Sequence, residues 1–240
     1  MPRFYCDMPL SLGETIELPP DVAHHIHVLR LAADESFTLF NGEGGEYTAR
    51  LAGAEKKRAH AEILSFSARE AELPFALTIA QALPESSKMD WIVEKAIELG
   101  AAAIQPILSQ RCVVRLSGER AEKRLAHWQK IIVAASEQCG RNRLAHLHDL
   151  ADFKNWISQP AQKTRLLLSP RASLSLSGWA RSNQQQALTL MVGPEGGFTT
   201  NEEDLALSKG AQLVSMGPRI LRTETAGMSA LATLTAIWGI

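Results

Sequence analysis

Two stretches near the C-terminus hold the residue types best suited to chemistry: Gly193-Pro-Glu-Gly-Gly-Phe198 and Met216-Gly-Pro-Arg-Ile-Leu-Arg-Thr-Glu-Thr-Ala226. In the first, glycines at 193, 196 and 197 permit positive φ and let a ligand reach the main chain with no Cβ in the way. In the second, Arg219, Arg222 and Glu224 put two cations and an anion on one short connection. Neither is a standard nucleotide loop. Gly-x-x-x-x-Gly-Lys is absent, and Pro194 breaks the Gly-x-Gly-x-x-Gly spacing. Taken singly, each has a plain alternative: a glycine-rich strand–turn–helix connection, or a solvated or structural ion pair. Together, at one edge of a sheet, they point to a small-ligand site.

The flanking residues say how the loops are positioned. An apolar run that reads as a buried strand precedes each, Ala187–Val192 and Ala211–Ser215. A helix start follows each. Thr200-x-x-Glu203 reads as a capping box, and Thr223 or Thr225 can cap a helix containing Met228, Leu231, Leu234 and Trp238. Upstream, strands are predicted at Phe75–Leu83, Ala103–Leu108, Leu144–His148 and Thr164–Ser169. Helices are predicted from a Ser87 cap to Gly100, over Glu119–Cys139 with Gly140 as the stop, and around Asp152–Ser158. This repeating βα order predicts an α/β domain over residues 73–240, built on a mostly parallel sheet covered on both faces.

Residues 1–72 differ. Short β-type pieces (Thr15–Leu18, Ser36–Phe40, Glu46–Leu51, Ala59–Leu64) alternate with turn signals, with Asn41-Gly42 and Gly44-Gly45 marking a hairpin. One helix is predicted at Val22–Leu29, capped by Asp21. A small β-barrel fits, with Ala68–Glu72 as linker.

Bulk properties set limits. A net charge of −1 over 240 residues gives no global sign of a nucleic-acid partner. Three scattered cysteines (Cys6, Cys112, Cys139) argue against a disulfide framework and a zinc site, and for a reducing compartment. Met1–Tyr5 lacks the apolar segment of a secretory signal, and Thr225–Ile240 falls short of the roughly 20 apolar residues a membrane span needs. A cytoplasmic protein without a metal is expected.

The two loops resemble those of the RsmE family of 16S ribosomal RNA uridine-N3 methyltransferases. The likeness extends to His24–Arg30, Gln81–Pro84, Lys88–Trp91, Lys95–Gly100 and Ser136–Arg141, and so spans nearly the whole chain. It implies a SPOUT domain whose C-terminal sheet is threaded into a trefoil knot, a PUA-like RNA-binding domain at 1–72, and a homodimer completing the active site. It also implies S-adenosylmethionine bound mainly by loop backbone. The implied cofactor residues are Gly193, Glu195, Gly197, Met216, Gly217, Ile220, Leu221, Thr225 and Ala226, with Leu168 and Leu190 as a floor.

Methylating N3 of uracil requires loss of its proton and stabilisation of charge on the O2–N3–O4 edge. Glu195 could accept the proton and Arg222 could stabilise the uracilate. Equally, Glu195 could hold cofactor hydroxyls and Arg222 could pair with Glu224. Candidate contacts to the RNA of the small ribosomal subunit are Arg3, His25, Arg30, Arg111, Arg115, Arg141 and Arg143, while His24 and His27 read as partly buried. Residues 1–72 carry seven Lys/Arg against twelve Asp/Glu, so contacts there should be few and confined to one face. Rival readings are a knotted enzyme acting on another RNA, such as a tRNA ribose 2′-OH, and a non-catalytic RNA-binding or ribosome-assembly dimer.

Overall fold

The computed structural model describes residues 1–55, 58–85 and 88–239. The chain divides into two compact units, Met1–Glu72 with Ser136–Leu144, and Leu73–Ala135 with Ala145–Ile240.

In the first unit, alternation of apolar and polar residues produces five strands: β1 (Arg3–Tyr5), β2 (Thr15–Glu17), β3 (Ser36–Phe40), β4 (Glu46–Ala54) and β5 (Ala59–Ser67). They pair in the order β1-β3-β4-β5-β2, antiparallel except for β1 with β3. Two register shifts between β4 and β5 bend the sheet around a core of Phe4, Ile16, Phe37, Leu39, Leu51 and Ile63. Helix α1 (Pro20–Leu29) adds Val22, Ala23 and Ile26 to that core. It starts one residue before Asp21, with Pro19 as N-cap and no side-chain cap, because proline at the first helical position already supplies a helical φ. The helix ends at Arg30, whose left-handed φ of 56° lets its N–H reach back to the carbonyls of Ile26 and His27. Residues 68–72, expected to be a bare linker, are held by side-chain bonds within this unit. Arg69 donates to Glu46 and to the Gly140 carbonyl, and Arg141 pairs with Glu72.

The second unit is a seven-stranded parallel sheet. Its strands are β6 (Leu77–Ala82), β7 (Ala103–Leu108), β8 (His146–Leu147), β9 (Ala151–Asp152), β10 (Thr164–Leu168), β11 (Leu188–Val192) and β12 (Gln212–Val214). The order is β12-β10-β11-β6-β7-β8, with β9 also on β7. Every residue of β6 and β11 is buried, as the middle strands of a parallel sheet covered on both faces are, including the polar Thr78, Gln81 and Thr189. Around it lie α2 (Lys88–Glu98), α3 (Gly118–Cys139), α4 (Phe153–Ile157), α5 (Leu176–Ser182), α6 (Thr200–Ser208) and α7 (Thr223–Trp238). Helix α7 packs against α2, α5 and β11. Ser87, expected to cap α2, lies outside the described residues.

Two caps differ from expectation. At α6 the capping box is Thr199 with Glu202, one residue earlier than Thr200 with Glu203. Thr199 is the extended residue, while Thr200 and Glu203 both accept from Arg171. At α7 the N-cap is Arg222 with no side-chain bond, and Thr223 faces back toward the first glycine loop instead.

Candidate functional site

Strands β10 and β11 end at Leu168 and Val192, and the loops beyond them and beyond β12 enclose a cavity of about 330 Å3. Leu168, Gly193, Glu195, Gly197, Met216, Gly217, Ile220, Leu221 and Ala226 all line it. Leu190 does not. It is fully buried in the middle of β11, because lining requires a strand's C-terminal end. Thr225 is exposed on α7 and also lies outside the lining. Ser169, Pro170, Val192, Pro194, Gly196, Arg219 and Thr223 complete the walls. The surface is largely backbone and apolar side chain, suited to a ligand with an apolar body and a few hydrogen-bonding edges.

The glycines set the cavity's shape. A Cβ on Gly193 would stand 2.9 Å from Gly197 Cα, so the two arms of the first loop approach as closely as they do only without one. Gly197 and Gly217 have φ of +67° and +96°, and a Cβ on either would meet no protein atom within 4 Å. Both positions therefore present bare main chain beside the open space.

Side chains distant in sequence hold these loops, in roles that residue types alone did not indicate. Buried Gln81, at the penultimate position of β6, donates from Nε2 to Thr223 Oγ1 at 2.9 Å. Thr223 Oγ1 in turn donates to the Gly193 carbonyl, tying the start of α7 to the first loop. Arg111 Nη1 donates to the carbonyls of Gly196 at 2.6 Å and Phe198 at 3.4 Å. Lys88 Nζ lies 2.5 Å from Glu195 Oε1, which also accepts from the Glu85 N–H at 3.1 Å. Burial, the largest influence on Glu195, raises its pKa. The Lys88 ammonium and the backbone donors outweigh it and hold the carboxyl below its ordinary value. Glu195 is thus an ionised loop anchor and a weakened proton acceptor.

The second loop keeps its cations open. Arg219 and Arg222 are exposed, and neither has a carboxylate partner among the described residues, Glu224 included. Glu224 Oε2 is buried with no hydrogen-bond donor among those residues.

The expected RNA contacts separate into two groups. Arg3 pairs with Glu46 and donates to Asn142 Oδ1 at 2.6 Å, and Arg141, only 3% exposed, pairs with Glu72. Both are structural, because their guanidinium groups are engaged by partly buried carboxylates within the first unit, and Arg3 also by buried Asn142. His25 and Arg30 are exposed on α1, and so are His24 and His27, against the expectation of partial burial. Arg143 is exposed and pairs with Glu70 at 3.2 Å. In the second unit Arg111 buttresses the glycine loop, and exposed Arg115 donates to the Gln110 carbonyl. Among the described residues no group of three or more His, Cys, Asp or Glu could hold a metal ion, and no helix is long and apolar enough to cross a membrane.

Residues 71–235 match the RNA methyltransferase domain family, and residues 18–64 match the RNA methyltransferase PUA domain. A ribosomal RNA small subunit methyltransferase E from Synechocystis is 35% identical over 93% of this chain and 73% of its own length. The protein of that name from Bacillus subtilis is 28% identical over 98% of this chain and 96% of its own. A crystal structure of a ribosomal RNA small subunit methyltransferase E from Neisseria gonorrhoeae, bound to S-adenosyl methionine, superimposes with a TM-score of 0.92. It is 41% identical, covering 99% of this chain and 98% of that one.

Proposed function

The chain belongs to the ribosomal RNA small subunit methyltransferase E family, and from that membership we propose that it transfers a methyl group from S-adenosylmethionine to N3 of a uridine in 16S ribosomal RNA. The observation that carries this reading is the cavity formed by the two glycine loops, with bare main chain at Gly197 and Gly217. Its volume lies within the range of roughly 300–1,000 Å3 typical of small-molecule sites. The backbone groups suit an adenosine and an amino-acid moiety, and Leu168, Val192, Ile220 and Leu221 suit the apolar parts between them.

When bound, the cofactor supplies a methyl group made electrophilic by its sulfonium. As the N3–methyl bond forms, the S–methyl bond breaks with its electron pair passing to sulfur, and N3 gives up its proton. Arg222, unpaired at the mouth of α7, is the group we assign to the negative charge of the uracil edge. The ion pair of Glu195 with Lys88 disfavours proton abstraction and gives Glu195 a part beyond both roles read from the sequence, the positioning of the first loop. Solvent water then takes the N3 proton. A uridine inside a duplex is out of reach of such a site, so the target is single-stranded or flipped out.

Residues 1–72 are proposed as the RNA-binding unit and 73–240 as the catalytic one. Within the former, exposed His25 and Arg30 are the candidate contacts, and Arg143 joins them from the 136–144 segment; Arg111 and Arg115 serve in the latter. The strand order β12-β10-β11, with α7 packing back against β11, supports a threaded C-terminus. Exposed Ile220 (85%) beside exposed Arg219 and Arg222 supports a homodimer that covers this edge. A cytoplasmic location goes with a ribosomal substrate.

Calorimetric titration with S-adenosylmethionine tests the reading. Saturable binding, weakened by Gly197→Val, is expected. Absence of binding at millimolar cofactor would leave a non-catalytic RNA-binding dimer as the better account.

A further inference from the structure

A second cavity, of about 310 Å3, lies toward the N-terminal ends of the same strands. Its floor runs across the sheet in register. Arg165 of β10 stands beside Thr189 of β11, Thr189 beside Thr78 of β6, and Thr78 beside Ala103, two residues before Gln105 on β7. Residues in register, or two apart along a strand, project from one face of a sheet. Thr78, Gln105, Arg165 and Thr189 are each more than nine-tenths buried. A polar row of this kind is out of place in a covered parallel sheet, whose strands ordinarily read as apolar throughout. It is also separate from the loop cavity, since Leu168 lies three residues beyond Arg165 and therefore on the opposite face.

Arg165 is the centre of this site. Its Nη1 donates to the carbonyls of Ile157 at 2.9 Å and Gln159 at 3.2 Å, and its guanidinium carbon lies 4.7 Å from the Trp156 ring centroid. These contacts fix the fork while engaging one of its three nitrogens. Among the described residues no carboxylate lines the cavity. Burial, unrelieved by any acidic neighbour, pushes the Arg165 pKa down. Exposed Lys163 adds a second cation at the rim. His148, also in the lining, is pushed down by burial and then by His146 and Lys163, against an opposing pull from Asp149. A buried guanidinium facing a cavity without a counter-charge is costly, and an anion relieves that cost.

We propose that this cavity binds a phosphate group, with the free Arg165 donors and the Lys163 ammonium meeting its oxygens and the Thr78 and Thr189 hydroxyls completing the shell. A carboxylate is the poorer fit, because one guanidinium edge already satisfies its two oxygens, whereas a tetrahedral oxyanion uses the rim cation and hydroxyls as well. The group comes either from a free phosphate compound or from an RNA backbone, and the chemistry at Arg165 is the same for both.

The test is titration of the full chain with inorganic phosphate against sodium chloride of equal ionic strength, followed by calorimetry and by tryptophan fluorescence, to which Trp156 contributes. Saturable binding is expected in the wild type. Arg165→Gln should weaken it at least about tenfold, as loss of a charge-assisted donor pair does. Lys163→Ala and Thr189→Val should each weaken it about threefold while leaving the thermal melt unchanged, and they keep the test decisive if Arg165→Gln does not fold. No saturable binding, or equal affinity in Lys163→Ala and Thr189→Val, would overturn the assignment. A single-stranded RNA oligonucleotide that displaces phosphate identifies the RNA backbone as the occupant. Failure to displace identifies a free phosphate compound. The result is independent of whether the loop cavity binds S-adenosylmethionine.

Discussion

Arginines do different work in the two units. In the first, Arg3, Arg50, Arg58, Arg69, Arg141 and Arg143 all pair with carboxylates, so the cations of that unit serve mainly to organise an acidic chain. In the second, Arg124 and Arg171 pair with carboxylates too, but Arg219 and Arg222 beside the loop cavity and Arg165 in the polar cavity have no carboxylate partner among the described residues. Counting charges would rank the two units by net sign. What matters is which cations are already engaged: the first unit leaves Arg30 open, and the second leaves open the arginines beside its cavities. An arginine held by a carboxylate stabilises its own surroundings, and one left open at a sheet edge is available to a ligand.

Breaking an engaged arginine should have the largest effect. Arg141→Met strips the partner from Glu72 in a nearly buried pair, and chemical denaturation should show a loss of about 3 kcal/mol. A loss below measurement error would mean that Arg141 is not a structural residue. The converse change is at the open arginine. Arg222→Gln should lower the methylation rate at saturating cofactor about a hundredfold, as removal of a charge-stabilising donor does, with cofactor affinity and melting temperature unchanged. Equal rates would remove Arg222 from the chemistry.

Next comes the loop that shapes the cavity. Gly193→Ala must move Gly197, and overpacking of that kind costs about 2 kcal/mol, which corresponds to roughly thirtyfold weaker S-adenosylmethionine binding by calorimetry. Glu46 offers a pH handle on the first unit. The Arg69 hydrogen bond, opposed by burial and joined by Arg3, lowers its pKa from 4.5 to about 2. A carboxyl depressed in the folded state stabilises at pH above its unfolded value, and that contribution is lost as pH falls through the folded one. Discounted for solvent screening of a partly exposed pair, wild-type stability should therefore fall between pH 4.5 and about 2 by about 2 kcal/mol more than that of Glu46→Gln, measured by denaturant titration at each pH. The smallest effect is expected at Arg30. Arg30→Ala should weaken RNA binding about threefold and reduce its salt dependence by about one counterion.

Both units were partly legible from sequence. Ser36–Phe40 in the first and Ala103–Leu108 in the second read directly, and β6, β10, β11 and β12 are displaced by only a residue or two at their ends. Strands β1 and β9 have three and two residues, too few for alternation to register. Helix α5 hides in Leu174-Ser-Leu-Ser-Gly178, whose period of two imitates a strand although Ser175 caps a helix there. The glycine loops declared themselves by composition. Their supports did not, because Gln81 reaches Thr223 across 142 residues and Lys88 reaches Glu195 across 107. Arg3 and Arg141 misled for the same reason: the carboxylate or carbonyl that engages an arginine is set by tertiary contact, and no local pattern carries it.

The proposed activity, methyl transfer to a uracil nitrogen supported by the open cations and bare loops, is tested most directly on its RNA substrate. Small ribosomal subunits and deproteinised 16S ribosomal RNA, both lacking the modification, should be incubated with the full chain and isotopically labelled S-adenosylmethionine, then digested to nucleosides and examined by mass spectrometry. Label is expected in a single N3-methyluridine, in at least one of the two substrates. Label in a ribose-methylated nucleoside, or none in either substrate while the cofactor is bound, would contradict it.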